Sequence, residues 1–248
     1  MKIMGILNVT PDSFADGGKH DTYEKAVARG LEMVAEGVDI IDIGGESTRP
    51  GAERVSAAEE QSRVLPVIKK LAQTGVPISI DTMRAETAAL AIEAGASIVN
   101  DVSGGLADDL MHESVAEMGC PYILMHWRSH SKDMNSLATY GDVVKEVIAE
   151  MQLQIDQALK AGIARNNLII DPGLGFSKEA EHNWEILKRI KEFTDLCYPV
   201  LIGGSRKRFL GGSTPDERES ATIALTESLL DKSIWAVRVH SVKPHKDL

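Results

Sequence analysis

The 248-residue chain is 43% hydrophobic and 26% charged with a net charge of −10, which excludes a disordered segment and, for want of basic surface, a nucleic acid or an anionic membrane as partner. No apolar run approaches the ~18 residues of a membrane span, the apolar start MKIMGILNVT is too short for a signal peptide, and two distant cysteines form neither a disulfide framework nor a thiolate metal site. The expectation is a cytoplasmic, single-domain protein acting on small molecules, with Cys120 and Cys197 as buried filler.

The first apolar run, 3–9, carries Asn8 and leads into NVTPDSFADGG, which is neither a GxGxxG nor a Walker loop. Asp21 precedes a helical pattern over 22–36 that Gly37 closes. Run 39–45 contains Asp42 and is followed by Glu46 and the Gly-, Arg- and Pro-bearing loop GGESTRPGAERVS, a candidate lid; Ser56 and Glu59 then form a capping box for a helix over 57–73. Run 77–81 ends in Asp81 before a helix over 84–94, and run 97–103 carries Asn100 and Asp101 before a helix over 107–118. Run 121–126 ends in Met125 and His126, with a helix over 141–161; run 168–173 holds Asp171 and is followed by GLGFSK and a helix over 180–194. Run 199–204 ends in Gly203 and Gly204, ahead of Ser205, Arg206 and Lys207. Thr214 and Glu217 repeat the capping-box spacing, with Pro215 at the first helical position. The last run, 236–242, puts Arg238 and His240 on one face through the two-residue period of a strand.

Eight apolar runs alternating with helical patterns about every 30 residues imply a parallel sheet, and eight in this length imply closure: α/β, a (β/α)8 TIM barrel. An open doubly wound sheet is the alternative. Only KPHKDL follows the eighth run, too short for a full covering helix.

In such a barrel the chemistry sits where the strands end. Every run ends polar, and Asp81, Asn100 and Asp171 end otherwise apolar ones. Each alone reads as an ordinary turn residue. Converging, they favour a flat heterocycle rich in N–H groups, because unpaired buried polar groups cost about 1–3 kcal/mol each. A metal cage is the competing reading. Arg206, Lys207 and Arg208 after a glycine pair, beside Arg238 and His240, form an anion site.

Together the segments MGILNVTPDSFADGG, GGESTRPGA, ISIDT, IVNDVSGG, LMHWR, IIDPGLGF, GGSRKRFLG and VRVHSV, spanning residue 4 to about 243, resemble the dihydropteroate synthase family. These enzymes join 6-hydroxymethyl-7,8-dihydropterin pyrophosphate to p-aminobenzoate with release of pyrophosphate. The resemblance implies a pterin site of Asp81, Asn100, Met125, Asp171, Gly203, Lys207 and Arg238, of which Asp81, Asp171, Lys207 and Arg238 serve catalysis. It implies a pyrophosphate site of Asn8, Arg49, Arg238 and His240, with Asn8 contacting a Mg²⁺ ion, and a p-aminobenzoate side of Phe14, Thr48, Arg49, Pro50, Phe176, Ser205 and Arg206. It also implies a homodimer. Two positions depart from the family pattern: Ser241, where Asp is usual, and Arg208, where Ser is common. The rival readings are a pterin-dependent methyltransferase domain, which needs no pyrophosphate clamp, and a binding paralogue without turnover.

Overall fold

The computed structural model describes residues 1–10, 19–46, 54–128 and 137–248. Eight parallel strands and the helices between them alternate: β1 (Lys2–Asn8), α1 (Lys19–Ala35), β2 (Ile40–Gly44), α2 (Ala57–Leu71), β3 (Ile78–Asp81), α3 (Ala85–Glu93), β4 (Ile98–Asp101), α4 (Met111–Met118), β5 (Tyr122–Met125), α5 (Val143–Lys160), β6 (Leu168–Asp171), α6 (Ala180–Lys188), α7 (Ile190–Thr194), β7 (Leu201–Ile202), α8 (Glu219–Leu229), β8 (Ala236–Val239) and α9 (Lys243–Lys246). The sheet runs β6-β5-β4-β3-β2-β1-β8-β7. A single bridge, Ile170 to Val200, with Ile170 N donating to Pro199 O at 2.9 Å, joins its two edges. The predicted eightfold barrel is therefore present and nearly closed, and the open sheet is excluded.

Two-residue alternation sorts every strand between two environments. Outward residues such as Leu7, Ile41, Ile43, Ile80, Val99, Leu124, Ile170, Ile202 and Val239 pack under the helices. Inward residues Met4, Ile40, Ile98, Ile123, Ile169, Leu201 and Ala236 fill the barrel bottom. Ser79 is the inward residue of β3 at this level, paired in register with Ile98 and Asp42.

The helices start and stop where local chemistry dictates. Ser56 Oγ accepts from Glu59 N at 3.2 Å, as the capping box requires. Gly37 ends α1 at φ +83. Helix α1 begins at Lys19, ahead of Asp21, so Asp21 lies inside it rather than before it. The helix expected over 180–194 is broken at Arg189 into α6 and α7. Glu217 N does donate to Thr214 Oγ1, at 3.3 Å, but the segment it opens is a 3-10 turn at Asp216–Arg218 that leads into α8. After β8 the chain forms only the short α9, preceded by Val242, which packs against the β1 backbone near Gly5. Cys120 is buried as expected, whereas Cys197 is exposed in a left-handed turn at φ 60. Among the described residues no helix is long and apolar enough to cross a membrane.

Candidate active site

Two residues above the apolar floor, the same inward face turns polar on β2, β3, β4, β6 and β8. Ile40 is followed by Asp42, Ser79 by Asp81, Ile98 by Asn100, Ile123 by Met125, Ile169 by Asp171, Leu201 by Gly203 and Ala236 by Arg238. Strand period thus converts the polar strand ends into one ring at the C-terminal mouth of the barrel. Asp42, Asp81, Asn100, Met125 and Asp171 are all buried.

Arg238 is the centre of this ring. Its Nε donates to Asp42 Oδ2 at 2.6 Å and its Nη2 to Asp81 Oδ2 at 2.5 Å. Burial works against its charge, yet Asp42 and Asp81 hold its pKa above the ordinary arginine value. Asn100 Nδ2 donates to the same Asp42 Oδ2 at 3.1 Å. A carboxylate can only accept, so the Asn100 amide has its orientation fixed, with its carbonyl oxygen left for other donors. Burial pushes Asp81 up to about 7 against the pull of Arg238, with Asp42 raising it further. Asp171 is raised by burial too, while Lys207, the Gly173 N–H, Arg238 and Lys178 oppose the rise. Its Oδ1 accepts from Gly173 N at 2.7 Å.

Lys207 comes over this ring from the loop after β7. Its Nζ donates to the Leu174 carbonyl and lies 4.5 Å from the centre of the Phe176 ring. Burial lowers it to about 8, partly offset by Asp171. Gly175 makes the approach possible, since a Cβ there would stand 2.9 Å from Lys207 Cδ. A Cβ on Gly203 would lie 3.4 Å from Asp171 Oδ2, and one on Gly44 3.4 Å from Asp81 Cβ and 3.7 Å from Asn8 Oδ1, ordinary contact distances. Asn8 ends β1 in register with Gly44, which is itself in register with Asp81. His240, two residues beyond Arg238, has its Nδ1 2.9 Å from Ser205 Oγ.

The expected meeting of acids from β3 and β6 with cations from the loop after β7 and from β8 is thus realised. Arg206 is turned elsewhere. It has a left-handed backbone (φ 57), and its side chain is held by Glu219 Oε2 at 2.6 Å and Ser241 Oγ at 2.9 Å. Of the two departures from the family pattern, Ser241 is engaged in that contact and Arg208 is exposed, so neither reaches the ring. Phe14, Thr48, Arg49 and Pro50 lie outside the described residues. Asp101 faces outward and fastens its own turn, accepting from Ser103 N, Gly105 N and Tyr122 Oη.

Sequence reasoning gave Asp42 no role, although it shares the inward face with Ile40. It also passed over Lys178, whose charge is buried among the loop carbonyls. A lysine in a loop carries no periodic signal that would have marked it as buried.

The model of the pterin-binding enzyme family matches residues 4–240. The dihydropteroate synthase of Mycobacterium leprae is 48% identical over 257 residues, covering 100% of this chain and 90% of the relative. Among solved structures, Xanthomonas albilineans dihydropteroate synthase with 4-aminobenzoic acid superposes with a TM-score of 0.93 at 42% identity, covering 99% of this chain and 89% of the other. The same enzyme in complex with 7,8-dihydropteroate gives 0.89 at 39% identity, covering 99% and 90%.

Proposed function

Since the chain belongs to the pterin-binding enzyme family and, within it, to the dihydropteroate synthases, we propose that its polar ring joins 6-hydroxymethyl-7,8-dihydropterin pyrophosphate to p-aminobenzoate. The observation that carries this reading is the junction of Asp42, Asp81 and Asn100 with Arg238 at the barrel mouth, flanked by Asp171 and Lys207.

Asp81 and Asp171 accept from the amino and ring N–H groups of the pterin, and Asn100 offers its oriented carbonyl beside them. Met125 and the bare backbone of Gly203 give the ring a flat seat. Lys207 donates to an acceptor edge, and Arg238 lies against the ring. The reaction then needs no nucleophilic side chain. The bond between the pterin methylene carbon and the bridging pyrophosphate oxygen breaks, and its electron pair leaves with pyrophosphate. The amine nitrogen of p-aminobenzoate attacks the cation-like methylene and loses one proton. Charge gathers on the departing oxygens, and groups fixed beforehand, the Arg238 cation with the His240 ring beyond it, stabilise that charge without reorganising. Phe176 walls the amine's side, with Ser205 and Arg206 assigned to the same side and Arg49, Thr48, Pro50 and Phe14 contributed by the loops after β1 and β2.

A Mg²⁺ ion suits this donor set. Among the described residues no group of three or more His, Cys, Asp and Glu forms a metal cage, but Mg²⁺ is commonly held by one or two protein oxygens together with substrate phosphates and water. The Asn8 side-chain carbonyl oxygen, at the end of β1, would supply such a ligand. The ion would neutralise charge on the bound pyrophosphate. As a further part of the proposal, two copies of the chain associate, as its membership of the family implies, which sedimentation of the pure protein tests.

Mixing the pure protein with both substrates and following pyrophosphate and dihydropteroate is the decisive experiment. Equimolar formation of the two is expected. Pterin binding without release would instead identify a binding paralogue, and methyl transfer from a methylpterin to a corrin would identify a methyltransferase.

A further inference from the structure

We infer that Lys178, His126 and Glu150 form a buried bracket that sets the loop between β6 and α6 for catalysis, with Lys178 acting as a positioning residue beneath both substrate sites. This rests on the assigned condensation for its chemistry, but its geometry is independent of it.

Lys178 is buried at 9% exposure, an unusual place for a lysine. Its three N–H bonds match three acceptors: His126 Nδ1 at 2.8 Å, Phe176 O at 3.0 Å and Gly173 O at 3.1 Å. The protonated Lys178 amine has no lone pair to offer, so Nδ1 of His126 accepts from it and the imidazole proton sits on Nε2; burial lowers this lysine to about 7 against the pull of Asp171, so that form prevails below neutral pH. That N–H meets Glu150 Oε2 at 2.9 Å, and Arg128 closes the chain on the same carboxylate through Nε at 2.9 Å and Nη2 at 2.5 Å. Burial, with the neighbouring Lys178, pushes His126 down to about 3, which agrees with a neutral ring.

The loop needs such a restraint. Gly173 and Gly175 are left-handed, at φ 70 and 76, and so is Ser177 at φ 48, where a side chain makes that conformation costly. By drawing the Gly173 and Phe176 carbonyls inward, Lys178 leaves the Leu174 carbonyl to receive Lys207 Nζ and places the Phe176 ring beneath that ammonium. The bracket therefore touches neither substrate and yet sets one group assigned to each.

Lys178 acts through charge as well. The groups facing it are Asp171 of β6, Lys207 from the loop after β7, His126 and Arg128 following β5, and Glu150 of α5. Asp171 is the strongest of these in favouring its charge, and in return Lys178 helps to keep Asp171 ionised.

Two variants separate the roles. Lys178→Met removes donors and charge, whereas Lys178→Arg keeps the charge but cannot reproduce three bonds from one nitrogen. In pyrophosphate-release assays over a pH series, Lys178→Met is expected to raise KM for p-aminobenzoate about tenfold through the displaced Phe176, and, because Asp171 shares the acid limb of kcat/KM with Asp81, to move that limb up as Asp171 loses a cation. Lys178→Arg should restore the limb and leave KM raised. Wild-type KM and limb in Lys178→Met, or a fall in kcat alone, would overturn the proposal. Glu150→Ala, at the exposed end of the chain, gives the same KM change in smaller measure if Lys178→Met does not fold; an unaltered KM there counts equally against it. Should the wild type turn over nothing, the assigned condensation fails while the bracket is still judged by hydrogen exchange. Amides of residues 173–178 are expected to exchange about tenfold faster in Lys178→Met, and an unchanged rate rejects the bracket.

Discussion

Asp42→Asn removes one negative charge from the centre of the barrel while keeping size and shape. Asp42 Oδ2 accepts both Arg238 Nε at 2.6 Å and Asn100 Nδ2 at 3.1 Å. A hydrogen bond involving a charged group contributes about 1.5–3 kcal/mol and a neutral donor's bond about 1 kcal/mol. The amide oxygen of the variant can still accept from both donors, so the loss is the charge assistance to the Arg238 bond, about 1–2 kcal/mol. At about 1.4 kcal/mol per tenfold, kcat/KM should fall roughly tenfold. The fold should survive, because Asp42 Oδ1 is buried without a partner, so an NH2 in its place breaks no bond, and Ser79 Oγ on the register-paired residue is likewise buried and unpartnered. Pyrophosphate release under kcat/KM conditions, with thermal melting as control, measures the effect. A variant within about threefold of wild type in kcat/KM would refute the reasoning that Asp42 holds Arg238 and Asn100 in register.

Burial pushes Asp81 up to about 7, and its ionised form accepts from two pterin N–H groups, where the neutral acid keeps only its carbonyl oxygen as a good acceptor. The value of kcat/KM for the pterin substrate should therefore fall about tenfold per pH unit below about 7; a flat profile down to pH 5 would remove Asp81 from that role. For the ligand-free fold the sign is opposite. The folded pKa lies above the 3.8 of a free aspartate side chain, so this group's stabilisation is full at low pH and is lost as pH rises through about 7. Gly173→Ala puts a Cβ 2.5 Å from the His126 carbonyl oxygen at φ +70, and urea titration should show a loss of about 2–4 kcal/mol from clash and left-handed strain combined. Arg206→Ala removes the Glu219 and Ser241 contacts, which should lower the melting temperature, and from its assignment to the p-aminobenzoate side it should also raise KM for that substrate; an unchanged KM would withdraw the assignment.

The barrel was legible because its strands are short, apolar and buried on both faces, so each ended at an abrupt polar residue. Parity did the rest: Asp81, Asn100, Asp171 and Arg238 all fall two residues above a floor residue. What escaped was set by tertiary contact rather than by period. Arg189 ends α6 early and leaves α7 as a separate turn. Cys197, expected inside, occupies an exposed left-handed turn. Arg206 belongs by sequence to a cationic cluster, yet its left-handed backbone aims it at Glu219. The strand-end inventory included Asp42, but without the register of β1, β2 and β8 nothing distinguished it from a turn aspartate.

The barrel's single weak rung has a bearing on how the enzyme fails. Strand β7 is only two residues long and meets β6 through one bridge, so the cylinder is stitched most loosely between the wall bearing Asp171 and the wall whose loop bears Lys207. Local opening under heat or denaturant is expected to begin along that line, where the fewest backbone bonds cross. The acid and the ammonium then drift apart together with their walls, and the enzyme falls silent while most of its architecture still stands.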